Sequence, residues 1–447
     1  MSESALQPWE WNEPTWRPHV ERVTPAGLHE LERDPATMSE SRLDALDRLA
    51  QKADGPVPTV AALTAEQAKS VHAWLDDHRE AMVADLAAYT AHESSSDDPE
   101  ALNSCLTWLR GWLDDSLGSA GTEERIPRDN AGDILIRRSL GSGGHPVLLL
   151  CHYDTVWPTG TIEEWPFRRK GDRLSGPGVF DMKAGLVQAV WALRALEALS
   201  LPRPAYTLLL NGDEETGSLA SSDVIVAEAR SSRAALVFEA SAEGAVKTTR
   251  KGVGLFTLTI VGEEAHAGLD PTAGASAINE MAHQVLRLEA LQDLDAGTSI
   301  NVGVIHGGTR SNVTAGRVVA DLDVRVASST EHERITSALA GLQPVNPRTK
   351  IVVDGTWNRP VFERTSEVAQ LFELARQCAH PLGIALRETA VGGASDGNFV
   401  LAAGTPVLDG LGAVGAGAHA RSEYATISGL IERAALAAGV LAAFAAS

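Results

Sequence analysis

Several segments of the sequence carry acids or imidazoles of the kind that bind metal ions. His152 begins the segment HYDTV, with Asp154 two residues later, and Asp181 lies in the glycine- and proline-containing segment GPGVFDMK. A histidine can bind zinc through one ring nitrogen while a carboxylate orients it through the other. The two oxygens of an aspartate can bridge two ions, as a two-metal site requires. Taken singly, His152 could be structural, and Asp181 could cap a following helix.

The segment DEETGS places three consecutive acids, Asp213, Glu214 and Glu215, after an apolar run. Adjacent carboxylates repel one another unless a cation or a proton relieves them, which favours a functional interpretation over a solvated loop. Adjacent carboxylates can also have different roles, because one can bind a metal while its neighbour takes a proton from water. Two further candidates are Glu239, which ends another apolar run, and His419, which lies in a glycine-rich segment.

The elements that position these residues follow from the spacing of apolar side chains. Short continuous apolar runs indicate buried strands at Val147–Cys151, Tyr206–Leu210 and Ala235–Phe238. Helical spacing predicts helices at Ala65–Leu86, Pro99–Leu117, Met182–Leu199, Ser221–Ala229, Ser366–His380 and Ile427–Phe444. This alternation predicts a sheet with helices on both faces. The candidate acids and imidazoles then lie at the sheet edge where open α/β sheets bind ligands.

Between about Thr248 and Gly355 the pattern changes to half-buried strands around one helix. The predicted elements are the strands Leu255–Val261, Ser299–Ile305 and Val318–Val326 and the helix Ser276–Leu291. We therefore predict an α/β fold with a mixed, mainly parallel sheet flanked by helices and interrupted by an inserted α+β domain. The predicted parts are residues 1–64 as an N-terminal extension rich in Trp and Pro, 65–247 and 358–447 as the catalytic domain, and 248–357 as the insert.

Composition and charge limit the class of protein. The 447 residues carry a formal net charge of -21, which argues against nucleic acid, because phosphate binding needs clustered Lys and Arg. The three cysteines, Cys105, Cys151 and Cys378, are scattered, which suits neither a disulfide framework nor a cysteine zinc site. We see no secretory signal and no apolar stretch long enough for a bilayer, and we expect a cytoplasmic protein without a membrane partner.

As a set, the motifs resemble those of a known enzyme family. The segments are HYDTV, GPGVFDMKAG, DEETGS, FEAS, AHAG, GGASDGN and GAHARSE. Their order and spacing resemble the motif series of the di-zinc aminoacylase/carboxypeptidase family, especially its glutamate carboxypeptidase and acetylornithine deacetylase types. The resemblance runs from about Ala65 to the C-terminus. It implies a zinc-peptidase-like catalytic domain, and an insert that serves as a lid and dimerisation domain.

The resemblance also implies a set of metal ligands. His152, Asp181 and Glu239 would hold one zinc ion, while Asp181, Glu215 and His419 would hold the second, so that Asp181 bridges both. Cobalt or manganese can occupy similar nitrogen and oxygen sites, so zinc is the first choice among these metals.

Catalytic and substrate-binding roles follow from the same resemblance. Glu214 would be the general base, Asp154 would orient His152, and His266 would reach from the lid across a dimer to polarise the scissile carbonyl. A lone histidine such as His266 is otherwise more often structural.

Three further positions match substrate-binding residues of the family. Arg325 and Asn312 match residues that bind the substrate carboxylate, and the backbone of Gly393 could approach the substrate. Without the resemblance, Arg325 could form an ordinary cross-strand ion pair, and Gly393 could lie in a turn.

Together these roles predict a two-zinc hydrolase of small peptides or N-acyl amino acids. A metal-bridging hydroxide would cleave the amide bond next to a C-terminal amino acid, as in a glutamate carboxypeptidase. The alternative is an N-acyl-amino-acid deacylase of the acetylornithine deacetylase/aminoacylase type, which would share every catalytic residue. A catalytically inactive binding protein on the same fold is a third hypothesis, against which the full ligand set argues. The resemblance further implies a homodimer formed through the lid.

Overall fold

The computed structural model of the protein describes residues 57–446. The predicted N-terminal extension lies outside the described residues as far as position 56, including Trp9, Trp11 and Trp16. Residues 57–64 contain no helix or strand and lead into the first helix. Hydrogen bonds tie this segment to the body, because Ala61 N donates to the Gln377 side chain (3.3 Å) and Gln377 Nε2 donates to Thr59 O (3.1 Å).

The described chain alternates strands and helices. The strands are β1 (Thr122–Ile126), β2 (Gly132–Ser139), β3 (Ser142–His152), β4 (Arg168–Lys170), β5 (Arg173–Ser175), β6 (Pro204–Gly212), β7 (Ala234–Val237), β8 (Val246–Arg250), β9 (Gly252–Val261), β10 (Ser299–Gly307), β11 (Arg317–Val326), β12 (Lys350–Arg359), β13 (Glu388–Val391), β14 (Val407–Leu408), β15 (Gly415–Ala416) and β16 (Tyr424–Thr426). The helices are α1 (Ala65–Asp77), α2 (Arg79–Thr90), α3 (Pro99–Leu117), α4 (Thr161–Glu164), α5 (Ala184–Ala198), α6 (Ser222–Arg230), α7 (Ala277–Ala290), α8 (Ser329–Ala340), α9 (Ser366–Ala379), α10 (Gly397–Ala402) and α11 (Ile427–Ala445).

A six-stranded sheet, which we call the first sheet, has the strand order β1-β2-β6-β3-β7-β14. The strands β6, β3, β7 and β14 are parallel, while β2 pairs antiparallel with β6 and β1 with β2. The predicted mixed, mainly parallel sheet is therefore confirmed. Neither β1 nor β2 was predicted, because Thr122–Ile126 is mostly charged and exposed and β2 has only three consecutive apolar residues (134–136) before two arginines.

Helices cover both faces of the first sheet. Alternate residues of β3 enter different apolar cores, since Val147 and Leu149 face one core and Leu148 and Leu150 face the other. The first core also contains side chains of α1, α2, α3, α5 and α11, and the second contains side chains of α6 and α10. Burial on both faces is why these strands are continuously apolar in the sequence.

A second sheet has the order β10-β11-β9-β12 and is antiparallel throughout. Its apolar face packs against α7 and α8, and Asp321, Asp323 and Arg325 lie on the other face of β11. The sequence predicted one helix here, which was wrong, because α8 buries only Ile335 and Leu339 and its apolar period is weak. Strand β12 was also missed.

The chain enters and leaves the second sheet at neighbouring points. Arg250 N donates to Phe362 O (2.9 Å), and Phe362 N donates to Arg250 O (3.1 Å), so the outgoing and returning segments pair with each other. Strand β8, the last strand before the chain enters the second sheet, pairs in parallel with β13. Another small sheet, with the order β15-β16-β5-β4, pairs the strands that precede Asp181 (β4 and β5) with the strands on either side of His419 (β15 and β16).

The C-terminal helix α11 is an apolar core element. Among the described helices it is long and apolar enough to span a membrane, with 19 residues and a mean hydropathy of 1.6. Its most apolar window is 89% buried within the fold, and it packs against α1, α5 and α9. This burial is that of a core helix. The cysteines Cys105, Cys151 and Cys378 are buried free thiols, and the cytoplasmic location stays a prediction.

Candidate metal centre

Three adjacent parallel strands deliver candidate ligands to the same edge of the first sheet. Strand β3 ends at His152, β6 ends one residue before Asp213, and β7 ends two residues before Glu239. Since β6, β3 and β7 are neighbours, the residues after their carboxyl ends are brought together. The convergence predicted from the sequence pattern is present.

Asp181 lies between the two candidate imidazoles. Its Oδ1 is 3.4 Å from His152 Nε2, and its Oδ2 is 3.5 Å from His419 Nε2. The residue sits just before α5 and is joined to Met182 by a cis peptide bond. Gly185 brings this segment against β7, because a Cβ at that position would lie 1.9 Å from Phe238 O. Each carboxylate oxygen of Asp181 thus faces a different ligand group.

The two glutamates complete the two groups. Glu239 Oε1 is 3.2 Å from His152 Nε2, and Glu215 Oε2 is 3.0 Å from His419 Nε2. One group therefore contains His152, Asp181 and Glu239, and the other contains Asp181, Glu215 and His419. The structure brings together all five residues that the sequence analysis proposed as ligands.

The spacing of these atoms suits bound cations. Two ligand atoms, each about 2.0–2.1 Å from one tetrahedral zinc ion, are separated by about 3.3 Å, close to the distances found here. Three buried atoms of the cluster, His152 Nε2, Asp181 Oδ1 and Glu215 Oε1, have no hydrogen-bond partner among the described residues. Buried polar atoms without partners are costly, so a metal ion would satisfy groups that the protein leaves open.

The protonation of the cluster reflects its crowded charges. Burial raises the pKa of Glu215 to about 7, and the neighbouring Asp181 adds to this shift. Burial would also raise the pKa of Asp181, but the adjacent imidazoles of His152 and His419 outweigh it and hold that pKa below its usual range. Hydrogen bonds with Asp181 and Glu215 raise the pKa of His419 to about 11. Without a metal, the imidazoles therefore supply the positive charge.

Asp154 has two positioning contacts. Its carboxylate lies 3.3 Å from His152 Nδ1, and its backbone oxygen is 3.1 Å from the same nitrogen, so Nε2 is turned towards Asp181. The same carboxylate accepts hydrogen bonds from the backbone N–H groups of Glu214 (3.2 Å) and Glu215 (3.1 Å). Asp154 thus orients a candidate ligand and also the turn that carries the acid pair.

Glu214 lies beside the cluster, and one of its carboxylate oxygens is within 4.8 Å of ligand atoms of His152 and Glu239, close enough to share an ion with them. Burial raises its pKa well above the usual value, and Arg359 opposes this shift. An Arg359 nitrogen is 3.1 Å from Glu214 Oε1. A buried carboxyl with a raised pKa, next to candidate metal ligands, has the properties of a general base that works near neutral pH.

The sequence analysis missed several residues that surround this cluster, among them Arg250, whose Nη2 lies 3.5 Å from Glu239 Oε2. Arg359 contacts Glu214, as described above. The Glu423 carboxylate accepts hydrogen bonds from the backbone N–H groups of Phe180 (2.8 Å) and Asp181 (3.1 Å), and the acid in GAHARSE was a usable signal for it. Lys247 Nζ lies 3.9 Å from Glu239, and burial lowers its pKa. Lys247 carries no comparable sequence signal.

The proposed lid residues belong to the second sheet and its loops. His266 is exposed, and its Nδ1 accepts hydrogen bonds from Gly268 N and Leu269 N (both 3.1 Å). The loop of Asn312 pairs with this one, because Ala267 N donates to Asn312 O at 2.9 Å. In the described residues, no hydrogen bond or ion pair joins His266 or Asn312 to the five-residue cluster.

The other two proposed substrate residues also have contacts of their own. Arg325 forms a two-point ion pair with Asp323, at 2.6 and 2.8 Å, so its cross-strand neighbour is not its partner. Gly393 O accepts a hydrogen bond from Arg250 (3.1 Å), and a Cβ at Gly393 would meet no atom within 4 Å. Open space beside Gly393 is compatible with an approaching ligand.

Comparisons with known proteins show what the chain is similar to. A sequence profile described as Peptidase family M20/M25/M40 matches residues 148–443, more than half of the chain. The chain is 28% identical to carboxypeptidase G2 of Pseudomonas sp. (strain RS-16), over 82% of this chain and 89% of that protein. It is 28% identical to acetylornithine deacetylase of Myxococcus xanthus, over 53% of this chain and 62% of that protein. Its structure is similar to that of aminopeptidase PepT from Bacillus cereus ATCC 10987, with a TM-score of 0.67, 20% identity, and coverage of 82% and 99%, which shows the fold.

The shared aspartate leads to a prediction about metal content. We expect about two zinc ions per wild-type chain, at most one in Glu239→Ala, and neither in Asp181→Ala, because Asp181 contributes to both groups. Metal analysis of purified, dialysed protein measures this content. Glu373→Ala, which removes an exposed acid of α9, is the control and should retain both ions. Full retention of metal by Asp181→Ala would contradict the arrangement.

The charge of the cluster leads to a second prediction. Because the pKa of His419 is about 11 and that of His152 is also raised, zinc must displace their protons near pH 7. Zinc binding should therefore release at least about two protons per chain, with a further contribution from Glu215, whose pKa is about 7, and should weaken as the pH falls. Titration calorimetry in buffers of different ionisation enthalpy measures the release. A binding enthalpy independent of the buffer would show that the imidazoles are already neutral.

Proposed function

The chain belongs to peptidase family M20/M25/M40 and is a metal-dependent hydrolase, and on that premise we propose that it cleaves the amide bond next to a C-terminal amino acid. The proposed substrate is a small peptide or an N-acyl amino acid, as for a glutamate carboxypeptidase. The observation that carries the proposal is the position of Asp181 between two imidazoles, each of which also faces a glutamate.

The proposal assigns a ligand set to each of two zinc ions. His152, Asp181 and Glu239 hold one ion, and Asp181, Glu215 and His419 hold the other. When bound, such ions polarise a carbonyl group and lower the pKa of water. Cobalt or manganese would also suit these nitrogen and oxygen ligands.

Glu214 is the proposed general base. Its carboxylate takes a proton from the attacking water and passes it to the leaving nitrogen, so that the amide C–N bond breaks to an acid and an amine. Burial favours this role, because it raises the pKa of Glu214 and makes its carboxylate a stronger base than an exposed one. Asp154 supports the role by holding the Glu214 backbone in place.

His266 is proposed to donate a hydrogen bond to the scissile carbonyl. Since its Nδ1 accepts two backbone N–H bonds, the neutral ring carries its proton on Nε2. A donor placed where negative charge develops on the carbonyl oxygen stabilises the transition state. In the proposed homodimer this donor reaches the site of the partner subunit.

The proposed dimer forms through the lid. Apolar side chains are exposed on α7, at Ile278 (48%) and Leu286 (63%), and on the edge strand β10, at Val304 (43%) and Ile305 (49%). Exposed apolar groups together with an unpaired strand edge favour association with a second copy of the chain.

Two cations support recognition of a free carboxylate. Arg325 binds Asp323 through Nε and Nη2, which leaves the outer N–H groups of Nη1 and Nη2 to bind a substrate carboxylate at two points. Lys247 supplies a buried ammonium group beside Glu239. The proposal assigns the C-terminal carboxylate of the substrate to these cations, with Asn312 and Gly393 contributing amide groups.

The second candidate function is an N-acyl-amino-acid deacylase. Its support is the similarity to the Myxococcus xanthus protein named acetylornithine deacetylase. Both candidates use the same catalytic residues and differ only in the group that precedes the scissile bond. Incubating zinc-loaded protein separately with peptidyl and acyl derivatives of the same amino acid, and comparing the rates at which each releases that amino acid, distinguishes them.

The role of Glu214 is testable by substitution. Glu214→Ala should retain its zinc yet lower kcat by about 10²–10⁴-fold, because the proton acceptor is lost while the ligands remain. Steady-state kinetics and metal analysis on the same sample measure both effects. Glu373→Ala should match the wild type in both. Near-normal turnover by Glu214→Ala would rule out this residue as the base.

Carboxylate recognition is testable by a substrate comparison. Arg325→Ala should lower kcat/KM about 10–100-fold for a substrate with a free C-terminal carboxylate, because a charge-assisted contact is lost. It should have much less effect on the matching C-terminal amide. Arg376→Ala, which removes an exposed arginine of α9, is the control. Equal losses on both substrates would mean that Arg325 does not recognise the carboxylate.

A further inference from the structure

Arg359 is a buried cation at the point where the chain returns from the second sheet. It is the last residue of β12, and only 4% of its side chain is exposed. Its guanidinium group does not remain on the second sheet, because it points into the turn formed by residues 214–218. Burying a guanidinium group is costly unless its donors are satisfied, so its partners indicate what this burial achieves.

The hydrogen-bond partners of Arg359 lie along the turn formed by residues 214–218. Its nitrogens donate to Gly217 O (2.8 Å), Glu214 O (3.2 Å) and Ser218 Oγ (2.9 Å), which hold the turn at both ends. The preceding residue, Asn358, adds a hydrogen bond to Gly217 O at 3.0 Å. The end of β12 therefore fixes the backbone that carries the acid pair.

A further bond reaches the carboxylate of Glu214 itself. Arg359 Nη2 donates to Glu214 Oε1 at 3.1 Å, while in residues 57–446 no hydrogen bond reaches Oε2. One oxygen is thus held by the protein, and the other is open for a proton. A base must lie within hydrogen-bond distance of the proton that it takes, so the orientation of this carboxylate matters to the reaction.

A second acid holds Arg359 in place. Asp396 lies 3.2 Å from its guanidinium group, and Asp396 in turn accepts hydrogen bonds from Asn211 (2.8 Å) and Ser218. Asn211 belongs to β6, the strand that leads into the acid segment. Arg359 therefore has a second acidic partner, and Asp396 keeps its guanidinium group in place even when the Glu214 carboxylate is protonated.

We propose that Arg359 is a positioning residue for Glu214: it holds Oε1 and the turn, so that Oε2 faces the water to be deprotonated. This inference rests on the proposed function for its catalytic meaning, but the structural part stands on the contacts alone. It also ties the proposed base to the strand on which the chain returns from the second sheet.

The test compares Arg359→Ala with a matched loss of a buried arginine elsewhere. Arg137 of β2 is also 4% exposed and binds Asp114 (2.8 Å), Glu123 (2.7 Å) and Gly118 O (2.9 Å), so Arg137→Ala removes a similar group. Hydrogen exchange of peptides spanning residues 213–218, measured by mass spectrometry, should become faster in Arg359→Ala and stay unchanged in Arg137→Ala. This measurement does not depend on activity.

Kinetics of the zinc-loaded protein supply the second measurement. Arg359→Ala should lower kcat by about tenfold to a hundredfold with unchanged zinc content and a KM within about threefold, because a misplaced base affects turnover more than binding. Arg359→Lys should recover part of the lost kcat, since an ammonium group can still donate to Glu214 Oε1. If Arg359→Ala does not fold, Arg359→Lys is the variant to measure. Arg137→Ala should keep the wild-type kcat.

The outcomes separate the inference from the proposed function. Unchanged exchange in residues 213–218 overturns the inference, and so does faster exchange with an unchanged kcat. If zinc-loaded wild-type protein hydrolyses no peptidyl or acyl amino acid, the proposed function fails instead. In that case the rate of hydrogen exchange in residues 213–218 still decides whether Arg359 holds the turn.

Discussion

The crowding of carboxylates at one buried edge of the first sheet is the constraint on which the site depends. Asp181, Glu215 and Glu239 lie close together, and like charges in a medium of low dielectric constant cannot all stay ionised without compensation. The nearby imidazoles and the buried cations Lys247 and Arg359 supply part of the positive charge. The unpartnered nitrogen and oxygen atoms that remain are those best suited to metal ions.

Such a cluster needs a rigid support, and the fold supplies it in two ways. The parallel strands fix where each ligand segment starts, because their carboxyl ends meet at one edge. Buried acids then fix the loops themselves, since Asp154 and Glu423 accept backbone N–H groups beside Glu215 and Asp181. Carboxylates therefore have two roles here: some are candidate metal ligands, and others fix the backbone of the loops that carry those ligands.

The sequence predicted the candidate ligands better than their surroundings. His152, Glu215 and Glu239 each follow a continuous apolar run, and parallel topology alone brings the ends of such runs together. Arg359 could not be found in this way, because it ends a strand of mixed polarity that itself escaped prediction. Lys247 becomes significant only when burial and the distance to Glu239 are known. These contacts depend on packing between segments distant in sequence, which a local pattern does not record.

The pairing of Arg250 with Phe362 has a consequence for how this architecture can diversify. Because the two ends of the intervening segment are hydrogen-bonded neighbours, a short turn could join them without changing the path of the first sheet. This junction accommodates inserted segments of other lengths or folds, because the ligand-bearing strands lie outside it. Selectivity and hydrolytic chemistry can then be inherited separately, but any replacement segment would have to supply again the contacts of Arg359, which lies three residues before Phe362.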